Sequence, residues 1–198
     1  SKSDLSSFSG KRVVMTMNKN NQLNWIRDWA TYYVNAHDAN AVLFYDNGSD
    51  LYTPNQLAEV IEAVPGLEVA IIVVWPFKYG PLGSTPKGAN IWDSDYCQIC
   101  AFEHARRRYL VDATAWLNCD IDEVILSSDD RTVFDHVLVS KKACITFNGL
   151  WMDMFEVPSN ESIYHRFPYR KEKNFVSATK WIAVPRRIPE AAWMGVHC

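Results

Sequence analysis

Much that would mark a specialised chain is missing from this sequence. No long apolar run is present: the longest, Val69 to Trp75, has the length of a strand, far short of a bilayer span. The opening from Ser1 is rich in Ser and Lys and reads as a loose lead-in over residues 1–10, not as a signal peptide. The net charge of −3 withholds the basic field that would argue for nucleic acid. Cysteines are few and odd in number, at positions 97, 100, 119, 144 and 198, with no disulfide-like framework. That suits a reducing, cytoplasmic compartment, and peripheral contact with a membrane surface is compatible with it. Cys97-x-x-Cys100 has no second pair at zinc-finger spacing and falls in a helical pattern, so it reads as packing. Internal repeats and low-complexity tracts are absent. What remains is one ordinary globular domain over 11–198.

Aromatic residues are abundant. Eight Trp is many for 198 residues, and Trp and Tyr faces stack on apolar faces of ligands as readily as they fill cores. Taken in order, Arg12 to Met17 reads as a buried strand. Asn18 to Asn21 makes a turn that can cap the next helix, Gln22 to about His37, whose apolar residues recur at helical spacing. Ala41 to Tyr45 is a second strand, closed by Asp46-Asn47-Gly48-Ser49. Thr53 caps a helix from Pro54 to Val64, which Pro65-Gly66 ends, and Leu67 to Trp75 is a third strand. Pro76 to Asp93 is a long loop and Ser94 to Ala113 a helix leading into a strand at Trp116. Asp129 or Asp130 caps a short helix to about Val139. A strand from Ala143 to Phe147 runs on through Glu156, and Ser177 to Val184 is strand-like. This alternation predicts an α/β fold, a mostly parallel central sheet flanked by helices. Ligands in such sheets bind at the carboxyl ends of the strands, where Asn18, Asp46 and the Asp120–Glu123 cluster all fall.

That last cluster is the most informative stretch. The apolar run Trp116-Leu117-Asn118-Cys119 ends in Asp120-Ile121-Asp122-Glu123. Strand alternation would point Asp120 and Asp122 to one side, where they repel unless a cation lies between them. Hard divalent ions such as Mg²⁺ or Mn²⁺ bind through one or two carboxylates plus the phosphates of a substrate. The pattern therefore points to a metal–nucleotide site, with a solvated acidic turn as the plain alternative.

Three motifs in this order carry a family likeness: Met15-Thr16-Met17-Asn18-Lys19-Asn20 followed by Trp25 to Trp29, Asp46-Asn47-Gly48-Ser49, and Asp120-x-Asp122. Together they resemble nucleotide-sugar glycosyltransferases of the GT-A (Rossmann-like) fold, with family 2-like and family 92-like members the nearest in pattern. The likeness covers about residues 12–198. Such members usually carry Asn-Glu where this chain has Asn18-Lys19, so Lys19 is a departure. The resemblance implies a metal-dependent transferase moving a sugar from a nucleoside diphosphate sugar, UDP-sugar favoured, to a glycan or lipid-linked acceptor. It implies donor contacts at Thr16, Asn18, Asp46, Asn47 and Asp120, and a Mn²⁺ or Mg²⁺ site of Asp120, Asp122 and His197, with Asp122 the direct ligand. Glu123 would cap or orient the neighbouring loop. An inverting transfer also needs a carboxylate to take the acceptor's proton, and Asp153 or Glu156, beside Trp151 and Phe155, fits that part. Arg106, Arg107, Arg108, Lys180 and Arg186 are candidates to clamp the diphosphate.

Two other readings compete. Asp120-x-Asp122 after an apolar strand also resembles the nucleophile motif of haloacid dehalogenase-type phosphatases. That family sets the motif on its first strand and follows it with more α/β units than remain here. A non-catalytic sugar- or partner-binding module with a degenerate site is the other reading, and Lys19 speaks for it.

Overall fold

The sheet is built from the middle outwards. The computed structural model describes residues 4–80, 96–150, 152–153, 169–170 and 176–196. The chain runs β1 (Arg12–Asn18), α1 (Leu23–His37), β2 (Ala41–Asp46), α2 (Pro54–Glu62), β3 (Val69–Val74), α3 (Tyr96–Arg108) and β4 (Ala115–Asn118). It continues with α4 (Val133–Val139), β5 (Cys144–Leu150), β6 (Met152–Asp153), β7 (Tyr169–Arg170) and β8 (Val176–Ala183). Six strands form one sheet in the order β3-β2-β1-β4-β8-β5, and β6 and β7 pair separately. The strands β3, β2, β1 and β4 are parallel to one another, whereas β8 runs antiparallel between β4 and β5. The fold is the expected one: mixed α/β, a mostly parallel sheet flanked by helices.

Both faces of the sheet are covered, which is why its strands read as nearly continuous apolar runs. On one face Val14, Val42, Phe44, Leu117 and Ile182 meet Trp29, Leu57, Ile61 and Phe134 from α1, α2 and α4. On the other, Val13, Met15, Leu43, Trp116 and Trp181 meet Ala101, Phe102 and Ala105 of α3. Neighbours along a strand thus feed opposite cores, the two-residue period of a strand. Phe8 is fully buried in the second core, so the lead-in packs from that residue onward.

Several boundaries shift from those the sequence suggests, each for a local reason. Helix α1 is entered through Gln22 with no side-chain cap bond, and it ends where Asp38 turns left-handed (φ 55°). Helix α2 has the expected Thr53 cap, completed by Gln56 as a capping box. Helix α4 is capped by Thr132 with Asp135 as reciprocal partner. Asp129 is occupied elsewhere, paired with Arg131 and His136. Of the strand expected to run on to Glu156, the described part is Cys144–Leu150, Met152–Asp153 pairs with Tyr169–Arg170, and residues 151 and 154–156 lie outside the described residues. Among the described residues, no helix is long and apolar enough to cross a membrane.

Candidate functional site

Strands β2 and β3 are laid down on one side of β1, and β4 on the other, so the direction of building reverses between β1 and β4. Crevices at the carboxyl ends of strands at such a reversal are where open α/β sheets bind ligands. A cavity of about 680 Å³ opens there. Its wall takes Asn18 and Lys19 from the end of β1, Asn47 and Gly48 after β2, Phe77 to Tyr79 after β3, and Asp120 and Asp122 after β4. Gln98, near the start of α3, closes the side.

Beneath the wall lies a dense polar floor. Asn18, buried at the last position of β1, donates from Nδ2 to Asp46 Oδ1 (3.0 Å) and to Tyr52 Oη (2.8 Å). Its Oδ1 accepts from Asn21 Nδ2 at 2.8 Å. Asp46 accepts from the Ser49 amide (3.1 Å) and hydroxyl (2.6 Å), so it closes the turn after β2. Gly48 completes that turn at φ +77°, a conformation that favours glycine, and it leaves the backbone bare at the cavity. Asn47 Nδ2 donates to the carbonyls of Trp75 (2.7 Å) and Phe77 (2.8 Å), which ties the end of β2 to the segment after β3. That segment presents Phe77, 59 % exposed, edge-on to the Trp75 ring with centroids 4.6 Å apart.

The acidic cluster is arranged by a turn, not by strand alternation. Strand β4 ends at Asn118, and the chain then turns over Asp120–Glu123, with the Glu123 amide bonded to the Asp120 carbonyl. Glu123 Oε2 accepts from the Asp120 amide at 3.1 Å, so this side chain orients the turn. The expectation that alternation aligns Asp120 with Asp122 is therefore replaced by a different cause, although both reach the cavity wall. Asp120 Oδ2 accepts from Lys180 Nζ at 2.6 Å, and the same ammonium stands 3.4 Å from Glu123 Oε2. Lys180 arrives there because β8 is antiparallel: Trp181 pairs with Asn118, which sets Lys180 just beyond the end of β4. Burial lowers the Lys180 pKa, but the Asp120 and Glu123 charges outweigh it and hold the ammonium above its ordinary value. Burial, then the Asp120 charge, push the Glu123 carboxyl up against the pull of Lys180. Cys119, behind the turn, hydrogen-bonds the Tyr33 hydroxyl at 2.7 Å, and burial keeps it a thiol.

Of the residues singled out in the sequence, the structure brings Asn18, Asn47, Asp120 and Asp122 to one cavity wall. Thr16 and Asp46 are buried beneath it. Asp153 lies in β6 opposite Tyr169, while Glu156 and His197 lie outside the described residues. Of the five clamp candidates, Lys180 is in contact with the acidic turn. Arg106 instead holds the chain near Pro189–Ala192, donating to the Ala192 carbonyl at 2.7 Å. The sequence reading missed Phe77, Lys78, Tyr79 and Gln98. The strand-end rule, carried one strand further to the end of β3, would have found the first three.

Among the described residues no three His, Cys, Asp or Glu side chains gather to hold a metal. A hard divalent ion needs only one or two protein carboxylates when phosphate oxygens complete its shell. Asp122, exposed at the wall, and the Oδ1 of Asp120 fit that requirement, whereas Asp120 Oδ2 is already held by Lys180.

No family model and no curated sequence matches the chain. Among solved structures it is similar to a galactosyltransferase, LgtC, in complex with donor and acceptor sugar analogues. The identity is 17% and the TM-score 0.45, over 88% of this chain and 58% of that one. A likeness of that degree decides neither family nor chemistry, so function has to be argued from the cavity itself.

Proposed function

We propose that the chain is a metal-dependent glycosyltransferase of the GT-A type. It would move a sugar from a nucleoside diphosphate sugar, UDP-sugar favoured, to a glycan or lipid-linked acceptor. The observation that carries this reading is the cavity of about 680 Å³ in which two carboxylates, four amides and two lysines converge, all but Gln98 from segments that follow the ends of the parallel strands. That mixture suits a ligand with both hydroxyls and negative charge, and the volume suits a nucleotide-sized molecule.

In this account Lys19 and Lys78, both exposed at the cavity, draw in the diphosphate by their charge. Phe77 and Tyr79 offer aromatic faces for the base or the sugar. Asp120, fixed by Lys180 and by the Glu123 turn, accepts hydrogen bonds from donor hydroxyls. Asp122, with Asp120 and His197, is the proposed holder of Mn²⁺ or Mg²⁺, which when bound supplies Lewis acidity to the leaving diphosphate. Asp46 and Asn18 keep the cavity floor in shape. Asp153, or failing it Glu156, is the proposed acceptor of the proton from the attacking hydroxyl in an inverting transfer. Cytoplasmic residence belongs to the same proposal and rests on cysteine usage alone.

Two variants separate binding from turnover. Asp122→Ala is expected to lose metal-dependent nucleotide binding with circular dichroism unchanged. Asp153→Asn is expected to bind donor normally and turn it over at least a hundredfold more slowly, the scale of a lost general base. Undiminished metal-dependent binding in the first would remove the metal assignment, and full turnover in the second would pass the base role to Glu156.

A further inference from the structure

Lys180 is 8 % exposed and sits against two carboxylates. Its Nζ is 2.6 Å from Asp120 Oδ2 and 3.4 Å from Glu123 Oε2. A buried ammonium so placed is held by its strand and by both acids, since Glu123 is itself pinned by the Asp120 amide. Without it, Asp120 would offer both of its oxygens to the cavity that Asp122 also lines, and one or two carboxylates are the protein's usual share of a divalent-ion site.

We propose that Lys180 is a resident counter-cation. It claims one oxygen of Asp120, so that metal enters with the diphosphate of the nucleotide instead of ahead of it. Asp122 is then the principal carboxylate for the metal, and Asp120 has only its Oδ1 left for the metal and the donor hydroxyls. Lys180 acts through Asp120 and is a positioning residue. This assignment deepens the transferase reading and rests on it for the nucleotide alone; its claim about metal uptake stands on the contacts of Lys180.

The test is Mn²⁺ titration followed by paramagnetic resonance, first with no nucleotide and then with UDP, on the wild type and on Lys180→Met. The variant is expected to bind Mn²⁺ alone at least tenfold more tightly than the wild type and UDP at least tenfold more weakly. Adding Asp120→Asn to Lys180→Met is expected to cancel the gain in metal affinity. A merely structural lysine would not produce a gain at all. Lys180→Gln keeps a hydrogen-bond donor for Asp120 while removing the charge, and it replaces the methionine variant if circular dichroism reports that one unfolded. Metal affinity that is unchanged or weaker in a folded variant overturns the proposal, as does a gain that survives Asp120→Asn. If the wild type fails to bind UDP under any metal condition while the variant gains Mn²⁺, the transferase reading falls and the role of Lys180 stands.

Discussion

Asn18 shows how much one side chain can organise at the end of a strand. Its amide nitrogen lies within bonding distance of Asp46, Ser49 and Tyr52, and its oxygen takes the bond from Asn21. Two hydrogens cannot serve three acceptors at once, so the cluster works as a shared network around one buried group. Asn18→Leu keeps the volume roughly and removes every one of these bonds, leaving Asp46 and Tyr52 short of a partner. The expected cost is about 1–3 kcal/mol, the desolvation penalty of buried polar groups left unpaired. Urea denaturation would measure it, and a loss below about 0.5 kcal/mol, the range of a neutral surface change, would contradict the network. Asn18 was legible in the sequence because an Asn closes an apolar run there. Its partners Ser49 and Tyr52 were not, since they meet it only once β1 and β2 lie side by side.

Between elements, the end of α1 is the fastening that holds the acidic turn. Tyr32 and His37 both donate to the Ile125 carbonyl at 2.7 Å, and the Tyr33 hydroxyl reaches the Glu123 carbonyl at 3.2 Å. His37 Nδ1 accepts from the Val133 amide at 3.2 Å, at the first residue of α4. Using one ring nitrogen as donor and the other as acceptor requires the neutral imidazole. Burial depresses its pKa below the ordinary value of about 6.5, against the opposing effects of the Ile125 bond and Asp38. The unfolded chain then binds the proton more readily than the folded one. Stability from His37 is accordingly complete above about pH 6.5 and is lost as pH falls through that value towards the folded pKa. His104, also depressed by burial and next by Arg108, adds in the same direction. Urea midpoints between pH 8 and 5.5 should fall, and His37→Gln should flatten that fall. An equal slope in the variant would contradict the assignment. Elements of this kind divide sharply in how far the sequence reveals them. The alternation from β1 to β4 follows from buried strands and amphipathic helices in turn. Nothing in the sequence of Val176–Ala183 says that β8 runs antiparallel, and that direction is what delivers Lys180 to Asp120. The turn at Asp120–Glu123 was hidden too, because it depends on the Glu123 carboxylate capping the Asp120 amide.

At the scale of the whole molecule, division of labour between rigid layers and one open edge explains the rest. Two buried cores clamp the sheet from both sides, and large side chains such as Trp29, Phe44, Trp116 and Trp181 are fully buried within them. The strands therefore end at fixed positions, and the polar residues that follow them are brought together without any one loop having to be ordered alone. The role proposed for this edge is that of a metal-assisted nucleotide site. Calorimetric titration of UDP, then GDP, with and without Mn²⁺ tests it most directly. Tight binding of one nucleotide, UDP in preference, is expected in the presence of Mn²⁺, with binding at least tenfold weaker without it. Failure of both nucleotides to bind with the metal present would contradict it.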